Sequence, residues 1–98
     1  MLRKKYLRDE NNHPIGLVII DNDCNVGWSK CHPKDQFNKK MANKIAENRY
    51  NYYKENPQEV AQVIGQMSVS FKPLKTQIID MITETYLKTL NSVRVFGD

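Results

Sequence analysis

Two clusters of turn formers, Asp9-Glu10-Asn11-Asn12-His13-Pro14 and Asp21-Asn22-Asp23-Cys24-Asn25, bracket the β-branched run from Ile15 to Ile20. An apolar run closed by a reversal at each end reads as a strand with a neighbour on either side. Lys4 to Arg8 supplies the strand before it, and Val26 to Cys31 resumes an extended pattern after it. Residues 4–31 are therefore predicted to form a three-stranded antiparallel β-meander. So small a sheet is marginal in water without a covering layer, which the rest of the chain can supply as helices.

Pro33 suits the first position of a helix, and Asp35 in or near the first turn would complement the positive end of its dipole. The first helix is placed at 33–55. At 100° per residue Phe37, Met41, Ala42, Ile45, Ala46, Tyr52 and Tyr53 share an apolar arc, while Lys39, Lys40, Asn43, Lys44, Glu47 and Tyr50 share the other. Asn48 and Arg49 fall inside the apolar arc, where an arginine either reaches out from the rim or points at a specific acceptor. Asn56 as N-cap, Pro57 in the first turn and Glu59 as the partner in a capping box open a second helix over 57–70, weakened at Gly65. Pro73 begins a third over 73–93, with Leu74, Ile78, Met81, Ile82, Tyr86, Leu90 and Val93 as its apolar stripe and Arg94 to Asp98 as a frayed tail.

The order βββααα defines an α+β fold, and 98 residues allow one domain, 1–98, rather than two cores. The two long apolar stripes exceed what a small sheet must cover, which leaves homo-oligomer formation open beside simple packing of the helices on each other. No apolar run is long enough to span a membrane, and the basic N-terminus lacks the apolar core of a signal peptide, so a cytoplasmic protein with no membrane partner is expected. In that compartment Cys24 and Cys31 are expected as free thiols.

Catalytic equipment is sparse. His13 sits in a turn and His32 precedes a proline, neither with a local group to orient it as a base. Cys31 beside a helix start reads more simply as a small apolar residue than as a nucleophile. Cys24, Cys31, His32 and His13 have zinc-ligand chemistry but not the paired spacing of a zinc knuckle, and Asp21 and Asp23 lack the glycine and glutamate of a calcium loop. The four glycines are isolated, so there is no phosphate-binding loop. Neither a catalytic residue, a metal site nor a cofactor is expected.

Charge is the remaining signal. Residues 30–49 hold six cations (Lys30, Lys34, Lys39, Lys40, Lys44, Arg49) and two anions (Asp35, Glu47), and this difference of +4 equals the net charge of the whole chain. A localised excess points to a basic face meeting an acidic partner. Trp28 and Lys30 at a strand end, running into a helix start at Lys34 and Asp35, would place an aromatic face, lysines and backbone N–H groups around one anion. Set against this is a plainer reading in which Trp28 is core, Asp35 a cap and the lysines a solvated face. The candidate binding residues are Trp28, Lys30, Lys34, Asp35, Lys39, Lys40, Lys44 and Arg49.

Trp28-Ser29-Lys30-Cys31-His32-Pro33-Lys34-Asp35-Gln36-Phe37-Asn38-Lys39-Lys40, with Tyr6-Leu7-Arg8-Asp9-Glu10-Asn11 and Pro14-Ile15-Gly16 upstream, resembles a pattern found in small proteins of tailed bacteriophages. The resemblance runs from about Tyr6 to Tyr50, roughly half of the chain, and departs from the pattern at Met41-Ala42-Asn43, where a glycine is missing. It implies a viral origin and a place in the host cytoplasm, and it carries no catalytic motif. The resulting expectation is a non-catalytic accessory protein that binds an acidic host protein, inhibiting a defence protein, or captures a phosphate-bearing signalling nucleotide. The alternative is a nucleic-acid-binding protein using Lys39, Lys40 and Lys44 on phosphates, with Tyr50, Tyr52 and Tyr53 near bases. A net of +4 would neutralise only a few phosphates, which favours the first reading.

Overall fold

The computed structural model describes residues 2–31 and 35–97, with side chains through residue 90 apart from Ser70. Strands β1 (Arg3–Arg8), β2 (Pro14–Ile20) and β3 (Val26–Lys30) form one antiparallel sheet in the order β1-β2-β3. Helices α1 (Lys39–Glu55), α2 (Gln58–Gly65) and α3 (Lys72–Gly97) follow, with a 3-10 turn at Val69–Phe71. The chain thus has the α+β fold that the order of its sequence elements implies.

Both reversals are built around an aspartate. Asp9 Oδ1 accepts the backbone N–H groups of Asn11 and His13, and Asp21 Oδ1 accepts those of Asp23 and Asn25, all at 2.9 Å. Each loop turns through one residue in the left-handed region, Asn12 (φ 65°) and Cys24 (φ 67°). An asparagine tolerates that conformation; a cysteine there costs of order 1 kcal/mol, which the four hydrogen bonds on Asp21 offset.

The sheet is covered on both sides. Leu7, Val18, Ile20, Val26 and Trp28 face Leu74, Ile78 and Met81 of α3, while Leu17 and Ile19 face Ala42, Ala46 and Tyr50 of α1. Double coverage explains why β2 is buried continuously from Gly16 to Ile20 instead of alternating with solvent. Arg3 and Lys4, pointing to opposite faces by the strand's two-residue period, each tie β1 to the helix on their side. Arg3 meets Glu84 at 3.4 Å and Thr85 Oγ1 at 3.2 Å, and Lys4 meets Asn43 Oδ1 at 2.9 Å and Glu47 at 3.3 Å.

The fit of α1 to β3 is backbone against backbone. A Cβ at Gly27 would lie 2.3 Å from Ala46 O and Tyr50 N, so only glycine lets the helix approach this far. Ser29 Oγ donates to Ala42 O at 2.9 Å in the same buried seam. Past it, Tyr53 reaches around the β3 edge and stacks on Trp28, with centroids 5.1 Å apart and planes at 19°.

Several element boundaries and faces differ from expectation. Helix α1 starts at Lys39, not near 33, because Asn38 is the N-cap and accepts the Met41 N–H at 3.0 Å. Asp35 consequently lies outside the first turn, and Pro33 falls outside the described residues. Asn56 does not cap α2; its N–H reaches Tyr52 O and Tyr53 O and its amide reaches Tyr52 O, so it closes α1. Helix α2 stops at Gly65 instead of 70, and α3 runs through Gly97, over the stretch expected to fray. Close docking at Gly27 narrows the buried arc of α1 and turns it toward Tyr50, which is buried, leaving Met41, Ile45 and Tyr52 exposed. The α3 stripe also divides: Leu74, Ile78 and Met81 are buried, while Tyr86 and Leu90 are exposed; the Val93 side chain lies outside the described residues.

Candidate functional site

The predicted binding residues do not converge on one anion. Trp28 is 3% exposed, in the core under α3 and on the other side of the sheet from the α1 lysines. Its role as an aromatic platform is therefore corrected: the indole packs, and only its carbonyl is used at the edge. Arg49 Nη1 donates to that Trp28 carbonyl at 3.0 Å, satisfying an acceptor that β3, as an edge strand, leaves without a strand partner. Lys30 sits over the Phe71 ring at 4.4 Å, toward the α3 side, and Asp35 is exposed with its backbone oxygen 3.3 Å from Cys31 Sγ. Lys34 lies outside the described residues.

Lys39, Lys40 and Lys44 do come together, lining a shallow surface on α1 with Asn43 and Glu47. Lys39 packs its ammonium 5.5 Å from the Tyr6 ring centroid, and the Glu47 charge is answered by Lys4. Lys40 and Lys44, at i and i+4, are the outward cations of this face.

Sequence reasoning missed the neighbour of this basic row. Met41, Ile45 and Tyr52 are 54%, 37% and 52% exposed and lie along one side of α1. At its N-terminal end the stripe runs into a cleft of about 190 Å³ beside β3, lined by Ser29, Lys30, Cys31, Phe37, Met41 and Ile45. The neighbouring Glu59 carboxylate pushes the Tyr52 phenol pKa above its ordinary value. The signal that could have exposed this stripe is Gly27: a glycine inside a strand marks close backbone approach, and close approach narrows a helix's buried arc.

Opposite the cleft, Tyr50 Oη donates to Asp21 Oδ2 at 2.7 Å, pinning α1 to the β2–β3 loop. This bond to Asp21 raises the phenol pKa to about 12, with desolvation adding to it. Desolvation pushes Asp21 up, but the hydrogen bonds from Tyr50, Asn25 and Asp23 together outweigh it and hold the carboxyl below its ordinary value. The pair is a structural clamp.

Cys24 and Cys31 are free thiols. Burial raises the Cys24 pKa, with the charges of Asp21 and Asp23 adding to it, which works against thiolate chemistry there. No group of three metal-ligating side chains occurs among the described residues, and no described helix is long and apolar enough to cross a membrane. Comparison with protein-family models, curated proteins and solved structures finds no match.

Proposed function

We propose that this chain is a non-catalytic binding protein that docks through the outward side of α1 onto a protein with an acidic patch. Given the phage-like motif, the partner is a host protein, in the leading case a defence protein, whose action docking blocks. The observation that carries this reading is the pairing of an exposed Met41-Ile45-Tyr52 stripe with Lys40 and Lys44 on its flank. Protein interfaces combine an apolar, methionine- and tyrosine-rich centre with a charged rim that steers encounter. A nucleic-acid surface would instead put its exposed rings among the cations, and a nucleotide pocket would enclose them. Here the lysines lie on open surface, Tyr6 and Phe37 are partly buried, and Trp28 is core.

The test uses immobilised wild-type protein, Tyr52→Ala and the double reversal K40E/K44E to capture partners from host lysate. Both variants are expected to lose the same partner while melting like wild type, since all three side chains are exposed. Retention of that partner by both would move the binding surface elsewhere. Binding of random-sequence duplex with a steep dependence on salt, abolished by K40E/K44E, would replace this reading with the nucleic-acid one.

A further inference from the structure

On α3, Ile79, Thr83, Tyr86 and Leu90 recur at alternating steps of four, three and four residues and project away from the sheet. Ile79 is 43% exposed, Tyr86 58% and Leu90 40%, and Leu87 beside them is 49% exposed. The core is served by a different side of the same helix, through Leu74, Ile78, Met81 and Thr85. Helix α3 spans 26 residues, about 39 Å, and its last described bond to the sheet layer is Thr89 Oγ1 to Asn22 O at 3.5 Å. Its outward stripe therefore lies outside the monomer's core, although an alternation of three and four is the spacing by which one helix packs along another.

We propose that this stripe is a self-association surface, on which two copies of the chain pair α3 against α3, side by side and pointing the same way. The flanks of the stripe select both the partner and the direction. Lys75 and Ile82 border one side of it, Asp80 and Leu87 the other. In a parallel helix pair, a residue on the first flank faces the residue five positions later on the second flank of its partner. Lys75 then meets Asp80 of the other copy and Ile82 meets Leu87, each twice by symmetry. Antiparallel pairing brings each flank against its own kind, which leaves Lys75 without an acid and Leu87 beside a carboxylate. A second copy in parallel thus matches charge to charge and covers Leu87, which the monomer core does not. Thr83 in the seam weakens the contact, and the pair is a reversible dimer rather than an obligate one. This surface lies on the opposite side of the sheet from the α1 stripe, and its assignment does not depend on what α1 binds.

Sedimentation equilibrium of the full chain over a wide concentration series tests this. The weight-average mass rises from 11.5 kDa toward twice that value with concentration. Tyr86→Glu holds the mass at the monomer value without changing the melting curve measured at high dilution, because Tyr86 is outside the core. Lys75→Glu and Asp80→Lys each weaken the dimer by about five-fold or more, and the double swap restores it. A mass of 11.5 kDa at every concentration overturns the proposal and leaves the stripe to a different protein. A dimer insensitive to Tyr86→Glu places the contact elsewhere, and single reversals that the double swap does not rescue exclude the parallel arrangement.

Discussion

Replacing Gly27 by alanine should be among the most damaging single changes in this chain, although it adds one methyl group to a strand. The new Cβ would lie 2.3 Å from both Ala46 O and Tyr50 N and 2.6 Å from Tyr50 Cα, all backbone atoms of α1 that no rotamer change can move. Ordinary carbon contacts need about 3.5 Å, so the helix must retreat by roughly 1 Å. Retreat stretches the 2.9 Å bond from Ser29 Oγ to Ala42 O and thins the packing of Ala42 and Ala46 on Leu17 and Ile19. Overpacking in a core costs about 1–3 kcal/mol, and a clash with rigid backbone belongs at or above the upper end. For a domain of this size about 3 kcal/mol corresponds to a fall in Tm of roughly 12–24 °C, measurable by circular dichroism and by the urea midpoint at unchanged slope. Gly65→Ala is the matched control: no atom lies within 4 Å of its added Cβ, and alanine should raise stability by about 0.5–1 kcal/mol. A Gly27→Ala protein within about 0.5 kcal/mol of wild type would refute the close-docked arrangement of α1.

Tyr50→Phe removes the donor to Asp21 and should cost about 1.5–3 kcal/mol in neutral buffer, read from urea melts. The Tyr50 pKa is raised from 10.0 to about 12, so its contribution is complete below 10.0 and lost as pH rises through about 12. Asp21 is lowered from 3.8, so its contribution is present above 3.8 and lost as pH falls below. The stability gap between wild type and Tyr50→Phe should accordingly be flat through neutrality and shrink at both extremes; a gap that grows in alkali contradicts the clamp. Arg49→Ala uncovers the Trp28 carbonyl and should cost about 1 kcal/mol, whereas no loss would show that water serves that acceptor equally well. In a Cys31→Ser background, Cys24 should react with a thiol reagent at neutral pH more slowly than an unstructured peptide cysteine, because burial and two nearby carboxylates oppose the thiolate.

The meander was legible because its signals are local: Asp9 and Asp21 lead turns that their own carboxylates close, and β-branched residues fill the strand between them. The helices were legible as amphipathic segments, but their ends and faces were decided by tertiary contacts. Pro33 and Asp35 carry the chemistry of a helix start, yet Asn38 makes the cap that forms, and both Asn38 and Asn56 are residues whose side chains can serve either end of a helix. Helical periodicity puts Tyr50 outside and Met41, Ile45 and Tyr52 inside, and docking against Gly27 reverses that by rotating α1 about its axis. The charge window pointed to Lys39, Lys40 and Lys44, which the fold brings together on one surface of α1. It could not show that Trp28 and Lys30 point to the other side of the sheet, since strand facing depends on which side α1 covers.

The same geometry determines what an assembly of this protein can present. Helix α1 covers one face of the sheet, and α3 with Val60, Val63, Ile64 and Met67 from α2 and its C-terminal end fills the other, so the outward edges of α1 and α3 have no further layer to cover them within the monomer. The two edges differ in charge. Lys40 and Lys44 border the α1 stripe with like charge, which disfavours pairing with a second copy and favours an acidic partner; Lys75 and Asp80 border the α3 stripe with opposite charges, which favours its own copy. Pairing through α3 would leave two α1 faces pointing outward, so a dimer would engage a symmetric or repeated target at two points and gain affinity from linkage alone. Tyr86→Glu would then weaken capture of such a target while leaving intact the binding of a single-site fragment of it, whereas K40E/K44E would abolish both. Equal loss from both targets in Tyr86→Glu would mean that the two surfaces serve one contact.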